Sequence, residues 1–291
     1  MCKALLLRTC CIILSFFLLT AFLSCRDAVP VESPPGYDLA NPQKFIMGNA
    51  LHEISGIVFL PGNDDSLYAI EDEDGKLFYF HPGDGKYNKY QSFGKRGDYE
   101  DVAVLGNTEF AVLRSDGSLF VFPVSLLWDG DKTKVRIYEH ILPAGEYEGL
   151  YGDKGGKLFA LCKNCPEDDQ REAVSGYILQ KDKDGNLAVS GGFKVDVSGV
   201  KLKGSGRKSK FRPSCLAKHP LTGEWYIISS VNKILLVLDD QWKVKATYPL
   251  DPGRFKQPEG LAFDRAGNMY ISNEGQEGNA NVLLFTYRQP K

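Results

Sequence analysis

The chain has 291 residues, 43% of them apolar or aromatic (AVILMFWYC) and 25% charged, with a formal net charge of -2. That balance excludes a disordered or fibrous chain, and with only 4 histidines it argues against a broad basic nucleic-acid surface and against His-rich metal catalysis. The 17 Phe, 14 Tyr and 30 Gly lean instead towards many short strands joined by glycine turns.

In chain order, Lys3 and Arg8 make a short positive start, and an apolar run follows from Cys11 to Leu23. At about 13 residues the run is short for a bilayer-spanning helix, which needs roughly 20, and it fits a signal-peptide core. It ends in Phe22-Leu23-Ser24-Cys25, which resembles a bacterial lipoprotein signal in which the cysteine is acylated and becomes the mature N-terminus. The resemblance implies a signal peptide over 1–24, lipidation of Cys25 and a membrane tether facing the periplasm or the cell exterior. Losing Lys3 and Arg8 leaves 33 basic residues against 37 acidic ones, a formal charge of -4. Segment 25–40, with Pro30, Pro34, Pro35 and Gly36, reads as an extended spacer, and 41–291 as the folded domain. Cys162, Cys165 and Cys215 remain in that domain, and Cys162 and Cys165 read as a loop disulfide or free thiols, a single CxxC without a second pair or a βαβ context being weak evidence for a metal or redox site.

Beyond Phe45 the pattern is a short apolar run, a turn with Gly beside Asp or Asn, and another run, as in Asp116-Gly117 and Gly267-Asn268. Five segments share a start of the form small-or-acidic, small, apolar: Ser55-Gly56-Ile57, Glu100-Asp101-Val102, Glu148-Gly149-Leu150, Ser214-Cys215-Leu216 and Glu259-Gly260-Leu261. Their spacings are 45, 48, 66 and 45 residues. Each start is followed by a second strand, such as Phe110-Ala111-Val112-Leu113, and a third, such as Leu119-Phe120-Val121-Phe122. A fourth is visible in the first four units. A period near 45 with four strands per unit predicts an all-β, five-bladed β-propeller. The last unit has three strands, and Gln43 to Met47 supplies the missing one by closing the ring between the two ends of the chain. The excess in the long interval is too short for a sixth blade and falls in insertions at Asn164 to Ala173 and Val197 to Lys210.

Glu53-Ile54-Ser55-Gly56-Ile57, Asp98-Tyr99-Glu100-Asp101, Glu146-Tyr147-Glu148-Gly149-Leu150 and Gln257-Pro258-Glu259-Gly260-Leu261, in this order, resemble the SdiA-regulated (YjiK-like) family of bacterial envelope proteins. The resemblance implies a five-bladed propeller and no particular reaction.

The repeat places a candidate site on its own. The first strand of a blade lines the channel, so Ser55, Glu100, Glu148, Ser214 and Glu259 form a ring. Glu100, Glu148 and Glu259 would repel one another unless one takes a proton or a cation such as Ca²⁺ bridges them; otherwise they accept hydrogen bonds that tie blades together. A second ring at the ends of the second strands holds Asp72, Arg114, Lys163, Ser230 and Glu274, where Arg114 and Lys163 could neutralise the acids or grip an anion. Tyr99 and Tyr147 either wall the pocket or pack between blades. The basic stretch Lys201, Lys203, Arg207, Lys208 and Lys210 reads as a solvated loop. No P-loop, GxSxG, GxGxxG or HExxH occurs. The expected protein is a monomeric, lipid-anchored envelope propeller that binds a small molecule, glycan or protein at the channel mouth. The alternatives are a Ca²⁺-dependent lactonase or phosphoesterase, and a non-catalytic envelope scaffold.

Overall fold

A computed structural model describes residues 31–84, 89–202 and 209–290. Cys25, the signal segment and Lys203, Arg207 and Lys208 lie outside the described residues. Five four-stranded antiparallel sheets follow one another in sequence. The first is β2 (Ile54–Leu60), β3 (Asn63–Glu71), β4 (Lys76–Phe80) and β5 (Lys89–Ser92), and the second is β6 (Tyr99–Leu105), β7 (Glu109–Arg114), β8 (Leu119–Pro123) and β9 (Arg136–Tyr138). The third is β10 (Glu146–Gly152), β11 (Lys157–Asn164), β12 (Ala173–Lys181) and β13 (Leu187–Asp196). The fourth is β14 (Cys215–Lys218), β15 (Trp225–Ser229), β16 (Ile234–Leu238) and β17 (Val244–Pro249). The fifth joins β18 (Pro258–Phe263), β19 (Met269–Asn273) and β20 (Asn281–Phe285) to β1 (Gln43–Ile46), with Gln43 opposite Leu284 and Ile46 opposite Asn281. The innermost strands touch in the cycle β2, β6, β10, β14, β18 and back to β2, which closes a five-bladed propeller.

The core is divided in the same way. Five clusters of buried side chains each join residues of two neighbouring blades, for example Tyr226 and Leu235 of the fourth with Ile271 and Leu283 of the fifth. A fully buried Leu, Ile or Phe contributes roughly 1.5–3 kcal/mol, so blade-to-blade packing, more than any single sheet, holds the ring together. The extra length of the third unit lies between β11 and β12 and between β13 and β14, as the spacing predicts. The ordered body begins before residue 41, however. Tyr37 and Leu39 are buried in the cluster between the fourth and fifth blades, and the Tyr37 hydroxyl donates to the Gly267 carbonyl at 2.5 Å.

Cys162 and Cys165 form a disulfide, and Cys215 is free and buried. No helix among the described residues is long and apolar enough to cross a membrane.

Candidate functional site

The position after each ring residue is set by crowding. A Cβ on Gly56 would overlap Asp101, and one on Gly260 would overlap Ser272 and the Ser55 carbonyl, so adjacent inner strands meet here backbone to backbone. Asp101, 3% exposed, fills the equivalent place in the second blade, and its carboxylate accepts from the amides of Val102 (2.8 Å) and Leu150 (2.7 Å). It thereby staples β6 to β10.

At the ring residues the ladder breaks. Pairing of the two innermost strands shifts register between Ile54 and Ile57, between Tyr99 and Asp101, between Tyr147 and Gly149, and between Pro258 and Gly260. Ser55, Glu100, Glu148 and Glu259 therefore sit in β-bulges, which leave one residue unpaired and re-aim its side chain. Ser214 immediately precedes β14 and takes the same place by another route, its hydroxyl accepting from the Ser230 amide at 3.2 Å.

The acids respond to one another. Burial, Glu148 and Asp98 push the Glu100 carboxyl up to about 10, with Lys163 pulling the other way. Burial also drives Glu148 up to about 8, Lys163 opposing it and Glu259 adding to it. Glu274 rises to about 8 through burial, Glu259 and Asp72, and Asp72 to about 7 through burial and Glu53. Glu259 is raised by burial, against hydrogen bonds from Ser214, Ser230 and Gln257. Burial works against the Lys163 charge, but Glu148, Glu146 and Glu100 outweigh it and hold the ammonium above its usual range. Lys163 makes an ion contact with Glu148 and lies 3.3 Å from Glu146. Its turn is pinned by the flanking Cys162–Cys165 disulfide and by Gln170, which donates to the Lys163 carbonyl.

The structure thus gathers Glu100, Glu148, Ser214, Glu259, Asp72, Lys163 and Glu274 at one mouth, with Ser55 buried in the same layer. Arg114 is not part of it. Its guanidinium is held by Asp116 at 3.0 and 2.7 Å, reaches Ser118 at 3.1 Å and covers the Phe120 ring, because a bidentate carboxylate two residues away competes better than one across the channel. Among the described residues, the carboxylates whose oxygens all lie within 4.8 Å of one another are Glu53, Glu71 and Asp72; Glu100, Glu148 and Glu259 do not form such a set, and Lys163 stands against Glu148 instead. Tyr99 and Tyr147 are buried between blades, their hydroxyls donating to the carbonyls of Lys95 and Pro143.

Sequence reasoning missed Glu53, Glu146 and Gln257. A signal was present: each lies two residues before a ring position, so the same alignment carries a third ring. It also missed Lys233, whose charge burial opposes and Glu259 supports. A cavity of about 320 Å³ opens at the other end of the channel and shares no residue with this mouth.

Residues 212–277 match the SdiA-regulated family model, so the resemblance drawn from the motifs holds across a segment that contains Ser214, Ser230, Glu259 and Glu274. No curated protein shows significant sequence similarity. The chain is similar in fold to the glutaminyl cyclase of Myxococcus xanthus, with TM-score 0.54 and 14% identity over 84% of this chain and 93% of that one. It is also similar to a luciferin-regenerating enzyme, with TM-score 0.51 and 12% identity over 84% and 95%. Regucalcin of Agrobacterium tumefaciens, a calcium-binding protein, gives TM-score 0.50 and 13% identity over 85% and 96%. At these identities the likeness is one of fold.

Proposed function

We propose that this chain is a lipid-anchored envelope propeller that binds a cationic ligand at its acidic mouth without turnover. The observation that carries the reading is the surplus of acid. Glu53, Asp72, Glu100, Glu146, Glu148, Glu259 and Glu274 face one another, and among the described residues Lys163 and Lys233 are the bases that reach them. Like charges in a partly dry channel favour a bound cation or a proton. The sequence Leu23-Ser24-Cys25 supports the anchor.

Calcium is the simplest cation to test, since regucalcin shows that a propeller of this kind can be a calcium-binding protein. Thermal unfolding with CaCl₂, and separately with spermidine as an organic cation, is compared with a choline chloride control at equal ionic strength. At a hundredfold excess over Kd, binding stabilises by about 2.7 kcal/mol, or about 5–11 °C in a domain of this size. Glu148→Gln with Glu259→Gln should remove that shift. If neither cation exceeds the control, the reading is wrong.

A Ca²⁺-dependent hydrolase has one observation in its favour, the metal-ligand spacing of Glu53, Glu71 and Asp72. Calcium-dependent cleavage of a lactone or phosphoester that is lost in Asp72→Asn would establish it in place of simple binding.

A further inference from the structure

The chain joins the ring at the end away from the acids. Inner strands begin at the acidic mouth, so the turns that follow them, with His219 and Leu221 in the fourth blade and Gly267 in the fifth, lie at the opposite end. Tyr37 is fixed between these two turns. Its hydroxyl donates to the Gly267 carbonyl at 2.5 Å, and its ring lies 6.0 Å from His219 and 5.3 Å from Tyr287 by centroid. On either side of it the Gly36 carbonyl accepts from the Arg288 amide at 2.8 Å, and the Leu39 amide donates to the Ser33 hydroxyl at 2.9 Å.

Cys25 stands seven residues before Glu32, and seven residues span at most about 25 Å when fully extended. The seven residues of β2 alone rise about 20 Å along the channel. The acidic mouth therefore reaches a bilayer only if the tether is drawn out along the whole flank of a blade, which costs the chain its conformational freedom. The end that holds Tyr37 reaches the bilayer without that extension.

This end also presents side chains suited to a lipid interface. Leu221, 58% exposed, stands in the same turn as His219, and Trp128, 68% exposed, sits on the helical turn Leu126–Asp129 after β8. β8 runs away from the acidic mouth, with Pro123 opposite Glu109, the first residue of β7. In a ring of five, the second blade lies across from the seam between the fourth and fifth, so Trp128 and Tyr37 mark opposite edges of one face. Tryptophan favours the boundary between headgroups and water. Basic side chains of this face are paired within the protein, Arg265 with Asp64, Lys245 with Glu224 and Lys134 with Asp129, so the contact does not depend on anionic lipid. The surplus carboxylates of the other mouth are repelled by an anionic leaflet.

We infer that the face bearing Tyr37, Leu221 and Trp128 lies against the lipid surface, so that the acidic mouth opens away from the membrane. This rests on the lipid anchor proposed at Cys25. A short tether holds such a face near the bilayer at an effective concentration on the order of millimolar, so a weak apolar contact is enough to orient the ring.

The full-length chain, processed by a bacterial host and reconstituted with its anchor into phosphatidylcholine vesicles, is labelled with bimane at Leu221→Cys or at Val231→Cys. Val231, 64% exposed, follows Ser230 at the acidic mouth, and the buried Cys162, Cys165 and Cys215 take no label. A lipid with a nitroxide on its headgroup should remove most of the emission from Leu221→Cys and leave that from Val231→Cys unchanged. Anchoring should also shift the tryptophan emission to the blue, and Trp128→Phe should erase the shift, since Trp225 is buried and Trp242 stacks on it. Equal quenching at the two positions, stronger quenching at Val231→Cys, or a blue shift that survives Trp128→Phe overturns this inference alone when mass spectrometry shows Cys25 to be acylated. Cys25 found without acyl chains overturns the anchor and the inference together.

Discussion

Replacing Lys163 by Met tests whether the acidic mouth works as an electrostatic unit. The substitution keeps most of the side-chain stem and removes the ammonium that contacts Glu148, whose side chain is 6% exposed against 21% for Lys163. Removing one partner of a buried pair costs about 3–5 kcal/mol, and the lower end applies because Lys163 keeps some solvent. A loss of about 3 kcal/mol lowers the midpoint by about 6–12 °C in a domain of this length. The loss should depend on pH. Glu148 ionises at about 8, so the full cost appears near pH 9, whereas near pH 5.5 its proton removes the charge that Lys163 balances and the cost falls to about 1 kcal/mol. Melting curves at both pH values check this, and adding Glu148→Gln should recover most of the loss at the higher one. An equal loss at the two pH values would refute the argument, since packing alone would then explain it.

The wild-type chain should itself lose stability as pH rises. Native carboxyls raised above the ordinary 4.5 of glutamate hold protons that the unfolded chain releases, so stability is greatest near that value and declines through about 8 for Glu148 and Glu274 and about 10 for Glu100. A midpoint in cation-free buffer that climbs over this range would contradict the assignment. Asp101→Ala strips the acceptor from the buried Val102 and Leu150 amides and should cost about 2–3 kcal/mol in denaturant unfolding, with Asp101→Asn costing less; a neutral Asp101→Ala would mean the staple is idle. All three cysteines of the domain are buried, so alkylation of the native protein should leave them unmodified, and alkylation after unfolding without reductant should label Cys215 alone of the three, as mass spectrometry of the peptides would report; labelling of Cys162 and Cys165 under those conditions would contradict the disulfide. Cys25→Ala should shift the protein from the detergent phase to the aqueous phase of a phase-partition assay; unchanged partition would remove the lipid anchor from the proposal.

Periodicity alone reveals the five blades, the closing strand Gln43–Ile46 and the positions of both insertions, because each is a matter of counting residues between turns. The same counting aligns Glu100, Glu148 and Glu259, but the bulges that turn them into the channel depend on pairing between strands and leave no trace in spacing. Arg114 shows the limit of an offset rule. It occupies the position aligned with Lys163, and a local aspartate, Asp116, decides where it points. For Tyr99 and Tyr147 the choice between pocket wall and core is made by packing between neighbouring blades, with each hydroxyl donating to a carbonyl four residues back, Lys95 and Pro143. Nothing in its spacing marks His219, and only the assembled ring shows it buried among Tyr37, Tyr226, Phe263 and Tyr287 with its Nε2 unpartnered among the described residues.

The pairing of β1 with β20 also imposes an order in time. Among the strands of this domain Gln43–Ile46 is made first and Asn281–Phe285 last, so an early strand must wait, its edge unpaired, for almost the whole domain to be made. Contacts between such distant residues slow folding, and an exposed strand edge invites pairing with the wrong partner. A nascent chain stopped before Asn281 lacks β20 and so cannot form the closed ring. The domain is therefore completed by the last-made of its strands.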